Sequence, residues 1–187
     1  MTYPRRVVPG TTYLLTRRCM HRRFTLVPRG VVPKLFGYCV ALAAERHGVE
    51  VHAVTCMSNH WHAVVTDTDG NIPEFCRDVH SLSARALNAH LGRWEALWSS
   101  QRLSLVELID APDVWDKLVY TLTNPVEAGL VARSSEWPGL RTRPVDMGRE
   151  PRTFRRPRTA FFRRSKLPQE VRLQLTVPGM LESGDPQ

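Results

Sequence analysis

The chain has 187 residues, 42% of them hydrophobic, with 26 Lys+Arg against 18 Asp+Glu and a formal net charge of +8. A chain of that length buries roughly 70% of its unfolded surface without a disulfide or metal staple, and has room for one domain with a tail or two small ones. The composition excludes wholesale disorder, no stretch is long enough to span a membrane, and residues 1–10 are short, basic and broken by prolines, so neither a secreted nor a membrane protein is expected.

Residues 1–9 read as a basic arm. The run from Thr11 to Cys19 reads as a strand, with Arg22, Arg23 and Phe24 in the connection after it and turn residues from Pro28 to Pro33. A helix is predicted over about Lys34 to His47, with Leu35, Tyr38, Cys39, Leu42 and Ala43 at helical spacing and Gly48 as its stop. Val49 to Met57 and His60 to Thr66 are strand candidates, and the short turn Ser58-Asn59 between them predicts an antiparallel hairpin. Asn71, with Glu74 three residues on, predicts an N-cap and a helix to about Leu91, carrying Ile72, Phe75, Val79, Leu82 and Ala86 on one face. Another strand is expected within Leu97 to Ile109. Asp110, Pro112 and Asp113 open a last helix running to about Asn124, where Pro125 discourages continuation. Strand, helix, strand, strand, helix, strand is the order of a split βαβ, or ferredoxin-like, α+β domain, an antiparallel sheet with helices packed on it.

After about Arg141 the composition shifts. From Pro151 to Lys166 there are seven basic residues and no acid, with Phe154, Phe161 and Phe162 interleaved. Such a segment cannot build its own core, so it reads as a basic Arg/Phe-rich tail that packs on the domain or on a ligand. Leu167 to Leu175 allows a short helix or strand. The expected division is an arm at residues 1–9, a domain at 10–140 and a tail at 141–187.

The charge excess points to a polyanionic partner. Only Lys34, Lys117 and Lys166 are lysines, however, and a GC-rich genome raises arginine whatever the function. Cys19, Cys39, Cys56 and Cys76 lie far apart with no C-x-x-C pair, which reads as free or buried thiols in a reducing cytoplasm.

Three side chains stand out for chemistry. On a strand, His60 and His62 share a face while Trp61 points away, and two adjacent imidazoles are a sensible start to a metal site. In isolation the pair is as readily two histidines on a half-exposed strand. Tyr120 and Asn124 stack on one face of the last helix, opposite the apolar Val114, Leu118 and Leu122. Alone, Tyr120 reads as a boundary aromatic, and Asn124 as the usual residue at a helix end before proline.

Together these stretches resemble a known family. Met57-Ser58-Asn59-His60-Trp61-His62-Ala63-Val64-Val65 is similar to the His-hydrophobic-His motif of single-tyrosine HUH transposases. Tyr120-Thr-Leu-Thr-Asn124-Pro125-Val126-Glu127-Ala128-Gly129-Leu130 resembles the catalytic helix of the REP-associated tyrosine transposase branch. The resemblance covers roughly Gly10 to Trp137, and the family's domain is also a ferredoxin-like sheet. It implies that Tyr120 is a nucleophile, and that His60, His62 and Asn124 hold a divalent metal, Mg²⁺ or Mn²⁺. It further implies cleavage of single-stranded or hairpin DNA through a 5′-phosphotyrosine link, by a bacterial cytoplasmic protein working as a monomer or homodimer. A tyrosine is mostly the neutral phenol at physiological pH, so a metal that stabilises charge on the phosphate is the help it needs. Arg17, Arg18, Arg22 and Arg23 near the first strand, Lys117 one turn before Tyr120, and Arg155 and Arg156 of the tail are the expected nucleic-acid contacts.

Departures are few. Ser58 stands where many members have proline, Glu127 replaces a common arginine, and Trp137-Pro138-Gly139-Leu140 only partly matches the family's Trp-Pro-x-Ser-Ser ending. Two other readings compete: a catalytically silent hairpin-binding relative, and a zinc hydrolase using His60 and His62 with His52 or His80.

Overall fold

The computed structural model describes residues 7–101 and 103–182, so most of the basic arm at 1–9 and the end of the tail at 183–187 lie outside the described residues. Four strands, β1 (Thr11–Arg18), β2 (Val49–Cys56), β3 (His60–Asp67) and β4 (Ser104–Leu108), form an antiparallel sheet in the order β2-β3-β1-β4. Helices α1 (Val32–His47) and α2 (Ile72–Leu91) join them as a split βαβ, and α3 (Ala111–Glu127) follows β4. This is the ferredoxin-like α+β arrangement. Beyond it, β5 (Arg152–Arg155) and β6 (Glu170–Leu173) pair as a small antiparallel sheet, and α4 (Gly179–Glu182) is a single turn. Among the described residues no helix is long and apolar enough to cross a membrane.

The pleat of the sheet separates two cores. One face carries Tyr13, Leu15, Trp61, Ala63 and Val65 against α1 and α2. The other carries Leu14, Ala53, Val64 and Leu108 against Val114 and Leu118 of α3. The single-face spacing of α2 follows from this, because only one side of that helix is covered. In α1, by contrast, every residue from Leu35 to Ala44 is buried. A helix that is apolar all round needs cover on a second side, and the β5–β6 sheet supplies it.

Phe154 and Phe162 belong to the main core, and Tyr38 of α1 meets Phe162 edge-on at 5.5 Å while its hydroxyl donates to the Pro168 carbonyl at 2.8 Å. Burying each of these phenylalanines stabilises the fold by about 1.5–3 kcal/mol. The fit requires Gly37, since a Cβ there would lie 2.2 Å from Cε1 of Phe154.

The outer edge of β2 is also covered. Cys56 N donates to the Leu140 carbonyl, Thr142 N donates to the Val54 carbonyl, and Trp137 Nε1 donates to the Cys56 carbonyl at 3.0 Å. Further along, Leu175 bridges Val51 and Thr176 N donates to its carbonyl. A β-bulge between Val51 and Ala53 leaves His52 as the extra residue, and that imidazole reaches both Thr176 and Thr66.

Two local expectations change. Asn71 makes no side-chain cap; Asp67 at the end of β3 accepts from the backbone N–H of Gly70, Asn71 and Ile72, so the carboxylate neutralises the start of α2 from one turn earlier. Helix α3 also runs through Pro125 to Glu127. Pro125 merely omits one i→i−4 bond. The stop is Gly129 at φ +66°, with Gly129 N donating to Val126 O and Leu130 N to Pro125 O, the paired bonds of a Schellman ending.

Candidate active site

His60 opens β3, and the pleat sends it and His62 to the α3 face. Trp61 goes the other way: it is fully buried, edge-on to Phe36 at 5.2 Å, with Nε1 donating to His80 Nε2. The two imidazoles lie with ring centroids 4.7 Å apart. Helix α3 begins where the Asp110 side chain accepts from Asp113 N at 2.8 Å, and Val114 and Leu118 seat it on the sheet. That seating brings Tyr120 against His62, centroids 5.1 Å apart, and lets Asn124 hydrogen-bond to His60. Because the helix ends at Gly129, Asn124 is buried a turn inside it instead of fraying at its end.

Each histidine is oriented at Nδ1. Asn59 Oδ1 lies 2.6 Å from His60 Nδ1, and Thr16 Oγ1 lies 2.8 Å from His62 Nδ1. A carbonyl oxygen can only accept, so Asn59 takes the Nδ1 hydrogen of His60 and leaves the lone pair on its Nε2. His62 Nε2 is buried without any hydrogen-bond partner, a state costing about 1–3 kcal/mol for a polar group. Burial, then the His60 ring and the Arg18 guanidinium, push His62 down to about 3. Burial and then Arg18 also lower His60, opposed by the Asn124 bond. Neutral imidazoles held at Nδ1, with the His62 Nε2 left unpartnered, are ligands for a cation.

The donor set fits a divalent metal. Among the described residues no group of three or more His, Cys, Asp or Glu could hold an ion, so a cation here would draw on the Asn124 amide oxygen as well as His60 and His62. Mixed nitrogen and oxygen ligation suits Mn²⁺ and tolerates Mg²⁺. A three-histidine zinc site is not assembled. His80 sits on α2 across the sheet, and both ring nitrogens of His52 are engaged, by Thr176 and by Thr66.

The basic side chains divide. Arg18 stands opposite His60 in the β1–β3 register and shares its face. Arg17 stands opposite Trp61 and donates instead to the carbonyls of Gln101 and Ser99, at 2.6 and 2.7 Å, fastening that loop. Arg22 and Arg23 are exposed in the loop after β1. Lys117 pairs with Asp116 at 2.5 Å and, with His62, Tyr120, Thr16 and Arg18, lines a cavity of about 450 Å³. Arg155 pairs with Glu170, and Arg156 donates to the carbonyls of Ser165 and Leu167; both follow the β5–β6 sheet on the α1 side, away from the histidines.

Thr16 and Asn59 were not singled out from sequence. The signal for Thr16 lay in the topology: a split βαβ puts the first strand beside the third, and Thr12, Leu14, Thr16 and Arg18 alternate onto one face.

No family model matches the chain, and no curated protein matches it. A solved structure of a REP-associated tyrosine transposase bound to a REP hairpin is similar to it, with a TM-score of 0.64 over 78% of this chain and 84% of that one at 19% identity. At that identity the likeness is one of fold. A "putative transposase" from Deinococcus radiodurans R1 overlaps 63% of this chain and 93% of its own at 20% identity, with a TM-score of 0.46 that adds no weight.

Proposed function

We propose that the chain is a transposase of the REP-associated tyrosine class, a metal-dependent enzyme that nicks and rejoins single-stranded or hairpin DNA through Tyr120. One observation carries the reading: the Tyr120 ring packs 5.1 Å from His62, whose buried Nε2 has no partner, with His60 and Asn124 beside it. The residue types in the two matching motifs and the shared fold support it.

His60, His62 and Asn124 would hold a divalent cation, which when bound supplies charge stabilisation at the scissile phosphate. Tyr120 supplies the nucleophile. Its phenolic oxygen forms a bond to phosphorus as the bond from phosphorus to the 3′-oxygen breaks; the phenolic proton passes to water, and the leaving 3′-oxygen takes one from water. The product is a 5′-phosphotyrosine and a free 3′-hydroxyl. The phosphodiester bond is exchanged, not hydrolysed, so a second 3′-hydroxyl can reverse the step and join a new strand. Lys117 and Arg18 place positive charge along the cavity where the phosphates would lie.

The test is a labelled hairpin oligonucleotide incubated with the protein and Mn²⁺ or Mg²⁺, followed by a denaturing gel. A covalent protein–DNA adduct that Tyr120→Phe abolishes is the expected result. Binding without an adduct on any cognate hairpin would assign the protein to a silent binder instead.

A further inference from the structure

The loop after β1 presents an aromatic side chain to solvent. Phe24 is 73% exposed, while Thr25 and Leu26 immediately after it are buried. The loop is bound to the turn that opens β3: Cys19 N donates to the Asn59 carbonyl at 2.7 Å, Asn59 Nδ2 to the Arg22 carbonyl at 3.3 Å, and Leu26 N to the Ser58 carbonyl at 2.9 Å. His21 and Arg22 are consecutive non-glycine residues in the left-handed region, at φ 51° and 53°. Each costs about 1–2 kcal/mol, so the surrounding bonds hold a conformation that the chain would not choose freely.

Between this loop and β3 lies a cavity of about 220 Å³ lined by Arg18, Arg22, Asn59 and His60. It is separate from the larger cavity beside Tyr120, and Arg18 lines both. No carboxylate lines either one, and among the described residues none pairs with Arg18, Arg22 or Arg23. Along β3 the order is therefore Tyr120 beside His62, then His60, then Arg22 of the loop that also carries Phe24. In-line displacement at phosphorus puts the attacking and leaving oxygens on opposite sides. With the tyrosine at the His62 end, the leaving 3′-oxygen and the nucleotide that carries it fall at the His60 end.

We propose that Phe24, Arg22, Arg18 and Asn59 form the seat of the nucleotide on the 5′ side of the cut, with Phe24 stacking on its base and the two arginines holding its phosphate. The inference rests on the transposase reading and adds which flank of the cut this loop recognises. Stacking on an aromatic is tolerant of base identity and is lost when the base is removed.

The experiment uses the full chain and hairpin oligonucleotides. The cut is first located from the length of the released 3′-hydroxyl fragment, and a single abasic nucleotide is then placed on its 5′ or its 3′ side. Adduct formation by wild type should slow about ten-fold with the 5′ abasic substrate. Phe24→Ala should slow by a similar factor on the intact hairpin and lose nothing more on the 5′ abasic one, while Phe24→Trp restores the intact rate. Equal losses for Phe24→Ala on intact and 5′ abasic substrates, no loss at all, or coupling to the 3′ abasic position would overturn the proposal with the transposase reading left standing. If wild type makes no adduct on any cognate hairpin, that reading falls and this inference with it.

Discussion

Thr16 on β1 and His62 on β3 face each other in the sheet register, and Thr16 Oγ1 lies 2.8 Å from His62 Nδ1. The hydroxyl fixes the tilt of the imidazole, and in the tautomer in which it accepts the Nδ1 hydrogen the lone pair falls on Nε2, the nitrogen buried without a partner. Removing it with Thr16→Val keeps the strand and its shape. Affinity for Mn²⁺, measured by calorimetry on the DNA-free protein, should fall about 10–100-fold, with Thr16→Ser close to wild type. Unchanged affinity in Thr16→Val would remove the threonine from the site's machinery.

Tyr120→Phe deletes one oxygen from a half-buried ring. Adduct formation should drop by at least about 10³-fold, the scale on which losing a covalent nucleophile acts. Hairpin affinity and thermal unfolding should stay near wild type, because the ring contact with His62 survives. An adduct that persists would place the nucleophile elsewhere.

Acid should destabilise the protein through its buried imidazoles. Burial, and then the charge of Arg17, push His80 from 6.5 to about 3, and His62 is lowered as far. His52 is also lowered by burial, against the opposing bond to Thr176. For His62 and His80, the unfolded chain takes up a proton as pH falls through about 6.5 and the folded protein does so only near 3, so the unfolded state binds more protons throughout that window. Stability is therefore fully present above it and falls on acidification, by about 1.4 kcal/mol per pH unit for each such group. His80→Gln keeps an acceptor for Trp61 and removes one titrating site. Denaturant titrations across the window should show a shallower pH dependence for the variant, and an identical slope would count against this account.

Gly37→Ala sets two effects against each other. Alanine improves helix propensity by about 1 kcal/mol, whereas overpacking a filled core costs about 1–3 kcal/mol. With Phe154 Cε1 2.2 Å from the added Cβ, the clash wins and the melting temperature should fall. The double variant with Phe154→Ala should lose no more than Phe154→Ala alone, because the obstructed ring has gone.

Those same residues show what could be seen in the sequence. The order of strands and helices, and the grouping of His60 with His62 and of Tyr120 with Asn124, followed from periods of two and 3.6 residues. Those periods describe single elements. What α1 packs against on its second side is a long-range matter, although Phe36, Val40 and Ala41, lying off the face read from sequence, carried the signal. Capping rules are local and point to Asn71 for α2, whereas Asp67 accepts those N–H groups from the end of a strand. Pro125 reads locally as a stop because proline usually is one; the glycine four residues later is the stronger terminator. Thr16 could be placed beside His62 only once strand order was known.

The covering of the β2 edge has a consequence for how the protein is made. The hairpin that carries His60 and His62 leaves the ribosome well before Trp137, Leu140 and Thr142, and earlier still than Thr176, which fastens His52. During that interval β2 is a bare template for other strands. A message cut short after α3 would encode Tyr120 and all three proposed ligands, yet its product would keep an unpaired edge and the uncovered side of α1. For the proposed enzyme, the segment from Trp137 to Thr176 is therefore as much a part of the working fold as the two motifs are.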